Sequence, residues 1–290
     1  MRDMTTAFVL SGGANLGAAQ VGMLTALSEA GVRPDMIVGT SVGAINGAYV
    51  AGGGDMAGLR DIWLNLRRRD VFPPSALHGL LGSIGRSNHI VPDSGIRRLL
   101  DKHLRFRNLE DAAIPLHVVA ADVLNGHDVL FSRGPAAPAI LASTAIPGLL
   151  PTVHIGGVEL MDGGVVNNAP ISHAFALGAT QIWVLATGYA CALDKPPTSA
   201  LAMALHAVAL TIHQRLAHDV ERYDGHCDLR VIPPLCPIKV GPSDFSQARK
   251  LIDGAYQVTQ SWLRTPLTPG NQAKFIEPHL HGPPSWPPPH

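Results

Sequence analysis

The chain has 290 residues, enough to bury a sizeable core, and 46% of them are apolar, which argues against a disordered chain. Lys+Arg and Asp+Glu number 22 each, so the formal net charge is zero, unlike the basic balance of a nucleic-acid-binding domain. Three cysteines at wide, irregular spacing (Cys191, Cys227, Cys236) fit neither a disulfide framework nor a zinc site built on Cys-x-x-Cys.

The cysteines are therefore expected to be reduced and mostly buried, in a cytoplasmic protein. The apolar run near the N-terminus is too short for a signal peptide. No run of 18 apolar residues exists, so no membrane-spanning helix is expected.

"TTAFVLSGG" reads as a buried strand ending in a tight glycine turn. "AAQVGMLTALSEAG" follows with apolar residues at helical spacing, and Gly31 is a natural stop. "DMIVG" is a second short strand, and "VGAINGAYVAGG" a helix rich in small residues. This β-α-β-α order is the signature of a parallel sheet covered by helices. "DMAGLRDIWLNLRRR" predicts one helix with Leu59, Ile62, Trp63 and Leu66 on its inner face, and Trp63, like Met23, is assigned to the core. The arginines Arg67, Arg68 and Arg69 would close that helix, where positive charge complements the dipole; a patch for an anionic lipid surface is the secondary reading.

Residues 71–91 are apolar and glycine-rich, and are read as a segment that lines or covers a site. "PDSGIRRLLDKHL" predicts a helix capped by Asp93 or Ser94. Strands follow at "LHVVAADV" and "HDVLFSRG", then a helix in "APAILAST", and a hairpin in "VHIGGVELMDGG" with its turn at Gly156-Gly157. "HAFALGA" is helical, "TQIWVLAT" a buried strand, residues 199–223 a long helix, "DLRVIP" a last strand and residues 244–263 a closing helix. Eight prolines in the last 26 residues predict an irregular tail over 265–290. The reading is one α/β domain, 1–264, and this tail.

Three pieces converge on a site. "SGGANLG" places Gly12, Gly13, Ala14 and Gly17 between a strand and a helix, where free N–H groups face an anion. That suits phosphate. It equally suits the oxyanion of a tetrahedral acyl intermediate.

Gly39-Thr-Ser41-Val-Gly43 matches G-x-S-x-G, which holds a serine on a sharp strand-to-helix turn. Val42 N–H, at the following helix start, is another oxyanion donor. "LMDGGVVNNAP" puts Asp162 before Gly163 and Gly164, at a strand end. A serine needs a base, and none of the fourteen histidines stands in a setting that singles it out. Asp162 therefore becomes the candidate base for Ser41. Burial would lift its pKa from about 3.9 toward the working range.

Gly12, Ala14 and Gly17 also fall at the spacing of a dinucleotide fingerprint. The acidic residue that would hold a ribose is missing from the end of the second strand; Asp35 lies at its other end. An NAD(P)-binding oxidoreductase using loop 12–17 is the alternative. Asn167 and Asn168 either cap a helix ahead of Pro170 or orient Asp162, and capping is the favoured role. His206, His213 and His218 have no good metal-ligand spacing.

These blocks, in this order, resemble the patatin-like phospholipase family: "AFVLSGGANLGAAQVGMLTALSEAG", "IVGTSVGAING", "LASTAIPGLLPTV" and "ELMDGGVVNNAPI". The resemblance runs over roughly 6–263. It implies a three-layer α/β/α sandwich with a mainly parallel sheet, and a lipid acyl hydrolase with a Ser41–Asp162 dyad. It also implies an oxyanion loop at Gly12 and Gly13, with no metal or organic cofactor and a lipid ester as partner. Transient contact with a membrane surface is compatible with that substrate.

Two departures stand out. Ala14 occupies a usual glycine position and Leu16 a usual basic one, which bears on oxyanion stabilisation and on anionic headgroups. A catalytically weak lipid-binding protein on the same fold is the second alternative.

Overall fold

The computed structural model describes residues 4–73, 88–188, 196, 198, 200–236, 240, 241, 244–265 and 272. Most of the glycine-rich segment 71–91, Cys191 and nearly all of the tail lie outside these residues.

Strands β1 (Thr6–Leu10), β2 (Met36–Thr40), β3 (Leu116–Asp122), β4 (Asp128–Phe131), β5 (Val153–Ile155), β6 (Val158–Asp162), β7 (Gln181–Leu185) and β8 (Asp228–Val231) form one eight-stranded sheet. Its order is β5-β6-β3-β2-β1-β7-β8, with β4 paired to β3. The strands from β3 to β8 along this order run parallel, while β4 and β6 pair antiparallel with β3 and β5 pairs antiparallel with β6. The unbroken apolar runs of β1, β2 and β7 are fully buried, because helices cover both faces of a parallel sheet.

Alternation along the strands supplies two cores. Phe8, Leu10, Ile37, Val118, Trp183 and Leu185 face one side. There they meet α1 (Ala18–Glu29), α2 (Val42–Ala51), α3 (Met56–Asn65), α5 (Ser94–His103), α6 (Ala136–Ser143) and α9 (Ala248–Leu263). Ala7, Val9, Val38, Val119, Ile182 and Val184 face the other, against α7 (Ile171–Ala176) and α8 (Ala200–Tyr223). Each large aliphatic side chain so buried contributes about 1.5–3 kcal/mol. The result is the three-layer α/β/α sandwich with a mainly parallel sheet.

The register of β3 positions the site. β2 pairs along its first half and stops at Thr40 opposite Val119. β6 arrives from the other direction and ends with Asp162 opposite Ala120. β4 pairs with Val118 to Ala121, overlapping both, so it takes the opposite edge of β3. The C-terminal ends of β2 and β6 therefore meet head-on along one edge, and the residue after Thr40 is Ser41.

The hairpin turn at Gly156 and Gly157 has φ of 58° and 85°, values that glycine adopts without strain. Two expectations change. The helix over 55–69 ends at Asn65, because Leu66 turns extended (φ −72°, ψ 130°) and packs against the core. The chain restarts as the four-residue α4 (Arg68–Val71), with Asp70 accepting the Arg67 N–H. Arg67 to Arg69 thus do not close the longer helix. Asp93 is the N-cap residue of α5, but its carboxylate binds Arg97 at 2.8 Å instead of a backbone N–H.

Cys236 is exposed, contrary to the expected burial, and Cys227 is half-buried. Burial pushes the Cys227 thiol up to about 11, followed by the nearby Asp228 and Asp224 charges. No described helix is long and apolar enough to cross a membrane.

Candidate active site

Ser41 occupies the turn between β2 and α2 with φ 55° and ψ −125°. Such a conformation costs a non-glycine residue about 1–3 kcal/mol and persists only where the surroundings enforce it. The flanking glycines do so. A Cβ on Gly43 would collide with Leu10 O, and one on Gly39 would meet Gly43 O at 2.7 Å. Only small residues let α2 start this close to the strand ends. A Cβ on Gly17 would likewise strike Val42.

The serine hydroxyl donates to Asp162 Oδ2 at 2.6 Å, although the two residues are 121 apart in sequence. The other carboxylate oxygen accepts the Gly164 N–H at 2.7 Å. Both side chains are buried, each 6% exposed. Burial raises the Asp162 carboxyl from 3.8 to about 6, and the hydrogen bonds from Ser41 and Gly164 offset part of that rise.

One short segment braces both partners. Ser143 Oγ accepts the Ser41 N–H at 2.8 Å and donates to Val119 O at 2.6 Å, while Ala145 O accepts the Asp162 N–H at 2.9 Å. Gly163 packs against Val119 O and Thr40, which leaves no room for a side chain at the seam. Ser143 was not singled out in the sequence as a site residue, because its partners are remote in the chain.

The glycine loop lies directly over the serine. A Cβ on Gly12 would be 3.1 Å from Ser41 Cβ. The Gly12 N–H, expected to face the oxyanion, instead donates to Asn168 O at 3.1 Å. Among the described residues no group accepts from the N–H of Gly13, Ala14 or Val42. Those three remain as the candidate oxyanion donors. Ala14 has φ 50°, so the methyl group sits at a position whose backbone favours glycine. Leu16 is half-buried and lines the same cleft.

Asn167 and Asn168 do not cap the helix; the N-cap of α7 is Pro170, without a side-chain cap. Asn168 holds Gly12, through its carbonyl and through Nδ2 to Gly12 O at 3.4 Å. Asn167 O accepts Thr40 Oγ1 at 3.0 Å, and its amide donates to Asp128 at 2.7 Å and to Ser172 at 3.0 Å. Asp128 also meets His173 at 2.9 Å. Burial raises the Asp128 carboxyl, but its partners Asn167 and His173 prevail and hold it low. These two asparagines tie the nucleophile strand and the glycine loop to the segment after Asp162.

Ser41 borders two clefts. One, with about 880 Å³ of empty space, is walled by apolar side chains of α2, α3 and α5, among them Ile45, Trp63, Leu66, Ile96 and Leu100. The other, with about 1130 Å³, contains Asp162, the glycine loop, Val165, Ile212 and His213. His213 is buried there, which lowers its pKa. The hydrogen bond from Ser41 Oγ nonetheless goes to the carboxylate. Trp63 is both core and cleft wall, its indole N–H donating to Asn46 at 2.9 Å.

Asp35, the acid weighed for a ribose, accepts the Thr6 N–H at the opposite end of the sheet from the glycine loop. Among the described residues no group of three or more His, Cys, Asp or Glu could hold a metal ion.

The family model of the patatin-like phospholipase matches residues 8–175, which include the glycine loop, the Ser41 turn and Asp162. An uncharacterized NTE family protein of Mycobacterium tuberculosis is 35% identical over 168 residues, covering 56% of this chain and 27% of that protein. The patatin-like phospholipase domain-containing protein 7 of Rattus norvegicus is 28% identical over 63% of this chain and 13% of its own length. The chain thus spans about a quarter or less of these relatives. Among solved structures, VipD from Legionella pneumophila aligns with TM-score 0.45 at 16% identity, over 89% of this chain and 67% of that one. The chain belongs to the patatin-like phospholipase family.

Proposed function

We propose that the protein is a serine hydrolase of lipid acyl esters, with Ser41 as nucleophile and Asp162 as its base. The observation that carries this reading is the 2.6 Å bond from a strained, buried serine hydroxyl to a carboxylate lifted to about 6. A carboxyl in that range is ionised at neutral pH yet basic enough to accept a proton.

Ser41 Oγ attacks the acyl carbon as its proton passes to Asp162 Oδ2. The carbonyl oxygen becomes an oxyanion facing the N–H groups of Gly13, Ala14 and Val42, each well-placed donor contributing about 3 kcal/mol. Collapse breaks the acyl–oxygen bond, and the leaving alcohol takes the proton from Asp162. Water then attacks the acyl-serine, again giving its proton to Asp162, and the fatty acid departs as Ser41 is restored. The apolar cleft along α2, α3 and α5 takes the acyl chain.

The test compares hydrolysis of short and long p-nitrophenyl acyl esters by the unaltered protein, Ser41→Ala and Asp162→Asn, with fluorophosphonate labelling of Ser41. Activity lost in both variants, and label absent only from Ser41→Ala and weak in Asp162→Asn, is expected. Full activity in Asp162→Asn would sink the dyad, and His213 would become the next base to test.

A further inference from the structure

We propose that the outer faces of α4 and α5 form a docking surface for anionic lipid, which brings the mouth of the apolar cleft down onto the bilayer. In a chain of zero formal net charge, residues 67–71 and 93–107 hold eight Lys and Arg against three Asp. Arg67, Arg68, Arg69, Arg97, Arg98, Lys102, Arg105 and Arg107 are all exposed. The acids offset only part of this charge. Asp70 is engaged with the Arg67 N–H and Asp93 with Arg97, which leaves Asp101.

The ten-residue α3 ends at Asn65, so the arginine triplet belongs to the single turn of α4, with Arg67 as its N-cap residue and Arg68 and Arg69 within its four residues. On α5, Arg98 and Lys102 are one turn apart on the face opposite the buried Ile96 and Leu100.

The basic rim is continuous with the cleft. Leu66, Val71, Phe72, Leu99, His103 and Leu104 line that cleft and are each only partly buried. They are interspersed in sequence with the arginines and Lys102, so the apolar mouth and the positive rim share the stretches 66–72 and 97–107. A surface of negative headgroups over an apolar interior matches this arrangement. Each basic residue near such a surface contributes an affinity gain of about fivefold, and salt screens it. The role in presenting substrate rests on the hydrolase reading. The docking itself does not.

The experiment uses the full chain carrying Ser41→Ala, co-sedimented with vesicles of phosphatidylcholine alone or mixed with phosphatidylglycerol. Preferential binding to the mixed vesicles is expected, lost at about 1 M salt, where the Debye length is about 3 Å. Replacing Arg68, Arg69, Arg98 and Lys102 with Gln should weaken that binding by about fivefold per residue. Replacing Arg33, Arg222, Arg249 and Lys250, exposed elsewhere, should leave it unchanged. In the chain with Ser41 intact, the first quadruple variant should hydrolyse a soluble short ester normally, which shows that it is folded.

Equal binding to both vesicle types would overturn the proposal, as would equal effects of the two quadruple variants. Retention on RNA without retention on vesicles would overturn it too. If docking holds while no ester is cleaved, the hydrolase reading fails and the docking surface stands.

Discussion

The two halves of the sheet differ in kind, and the site is drawn from both. β1, β2 and β7 lie in the parallel half and are buried at every residue. β4 is only partly buried along its length, and β5 has an exposed central residue. Ser41, the proposed nucleophile, stands at the end of the buried half, where tight packing can enforce a strained backbone. Asp162, the proposed base, arrives on β6, in the more open half, held by one short run of antiparallel pairs to β3. Strain is thus confined to the rigid side, while the carboxylate owes its raised pKa to the burial it reaches at the seam. The contrast teaches that rigidity and proton affinity come from different parts of one sheet.

The largest break in that arrangement is removal of either partner. Ser41→Ala and Asp162→Asn should each lower kcat by roughly 10⁴-fold or more on a p-nitrophenyl ester, measured under saturating substrate.

Asp162→Asn sharpens the comparison in a second way, through stability. A folded-state carboxyl raised from 3.8 to about 6 holds its proton more tightly than in the unfolded chain. Its protonation therefore favours the fold fully below about 4, and that contribution is lost as pH rises through about 6. Above that, the buried ionised group costs about 3 kcal/mol. The amide variant should be more stable than the unaltered protein at pH 8 by up to that amount, and the gain should vanish toward pH 4. Urea unfolding at both values checks it; a gain independent of pH would contradict the assigned burial cost.

Asn168→Ala removes only the side-chain part of the tie, the 3.4 Å bond from Nδ2 to Gly12 O, and leaves the backbone bond from the Gly12 N–H in place. A loss of about fivefold in kcat, with little change in KM, is expected from the loosened loop. Stopped-flow acylation measures it, and a change in KM alone would place Asn168 in substrate binding instead.

The smallest effect is at Ala14. Its φ of 50° predicts that Ala14→Gly relieves local strain, with a gain of about 1 kcal/mol or less and an unchanged or faster acylation rate. Thermal unfolding and labelling rate together report it.

What the sequence made legible was local. Gly39, Gly43, Gly163 and Gly164 announce close backbone approach, and strand-turn-helix order put Ser41 at a strand end. The strand Val158–Asp162 and its hairpin were readable from Gly156-Gly157. What stayed hidden depended on remote partners. Nothing near Gly12 says that its N–H is spent on a carbonyl 156 residues away, at Asn168. Nothing near Ser143 says that it holds Ser41. The break at Leu66 carries no Gly or Pro signal; a hydrophobic side chain reaching the core decides it. The asparagine pair was misread as a cap because capping is a local habit of that residue, whereas here both side chains serve other segments.

The head-on meeting of β2 and β6 along one edge of β3 also makes the chemistry a folding reporter. Sliding β6 by a single residue would send Asp162 to the other face of the sheet and leave Ser41 without its acceptor, even with every helix in place. Long-range pairings of this kind close late, since the loop entropy must be met before they contribute. A refolding chain should therefore regain helical signal first and fluorophosphonate reactivity last, so that reactivity counts molecules whose final strand has found its register.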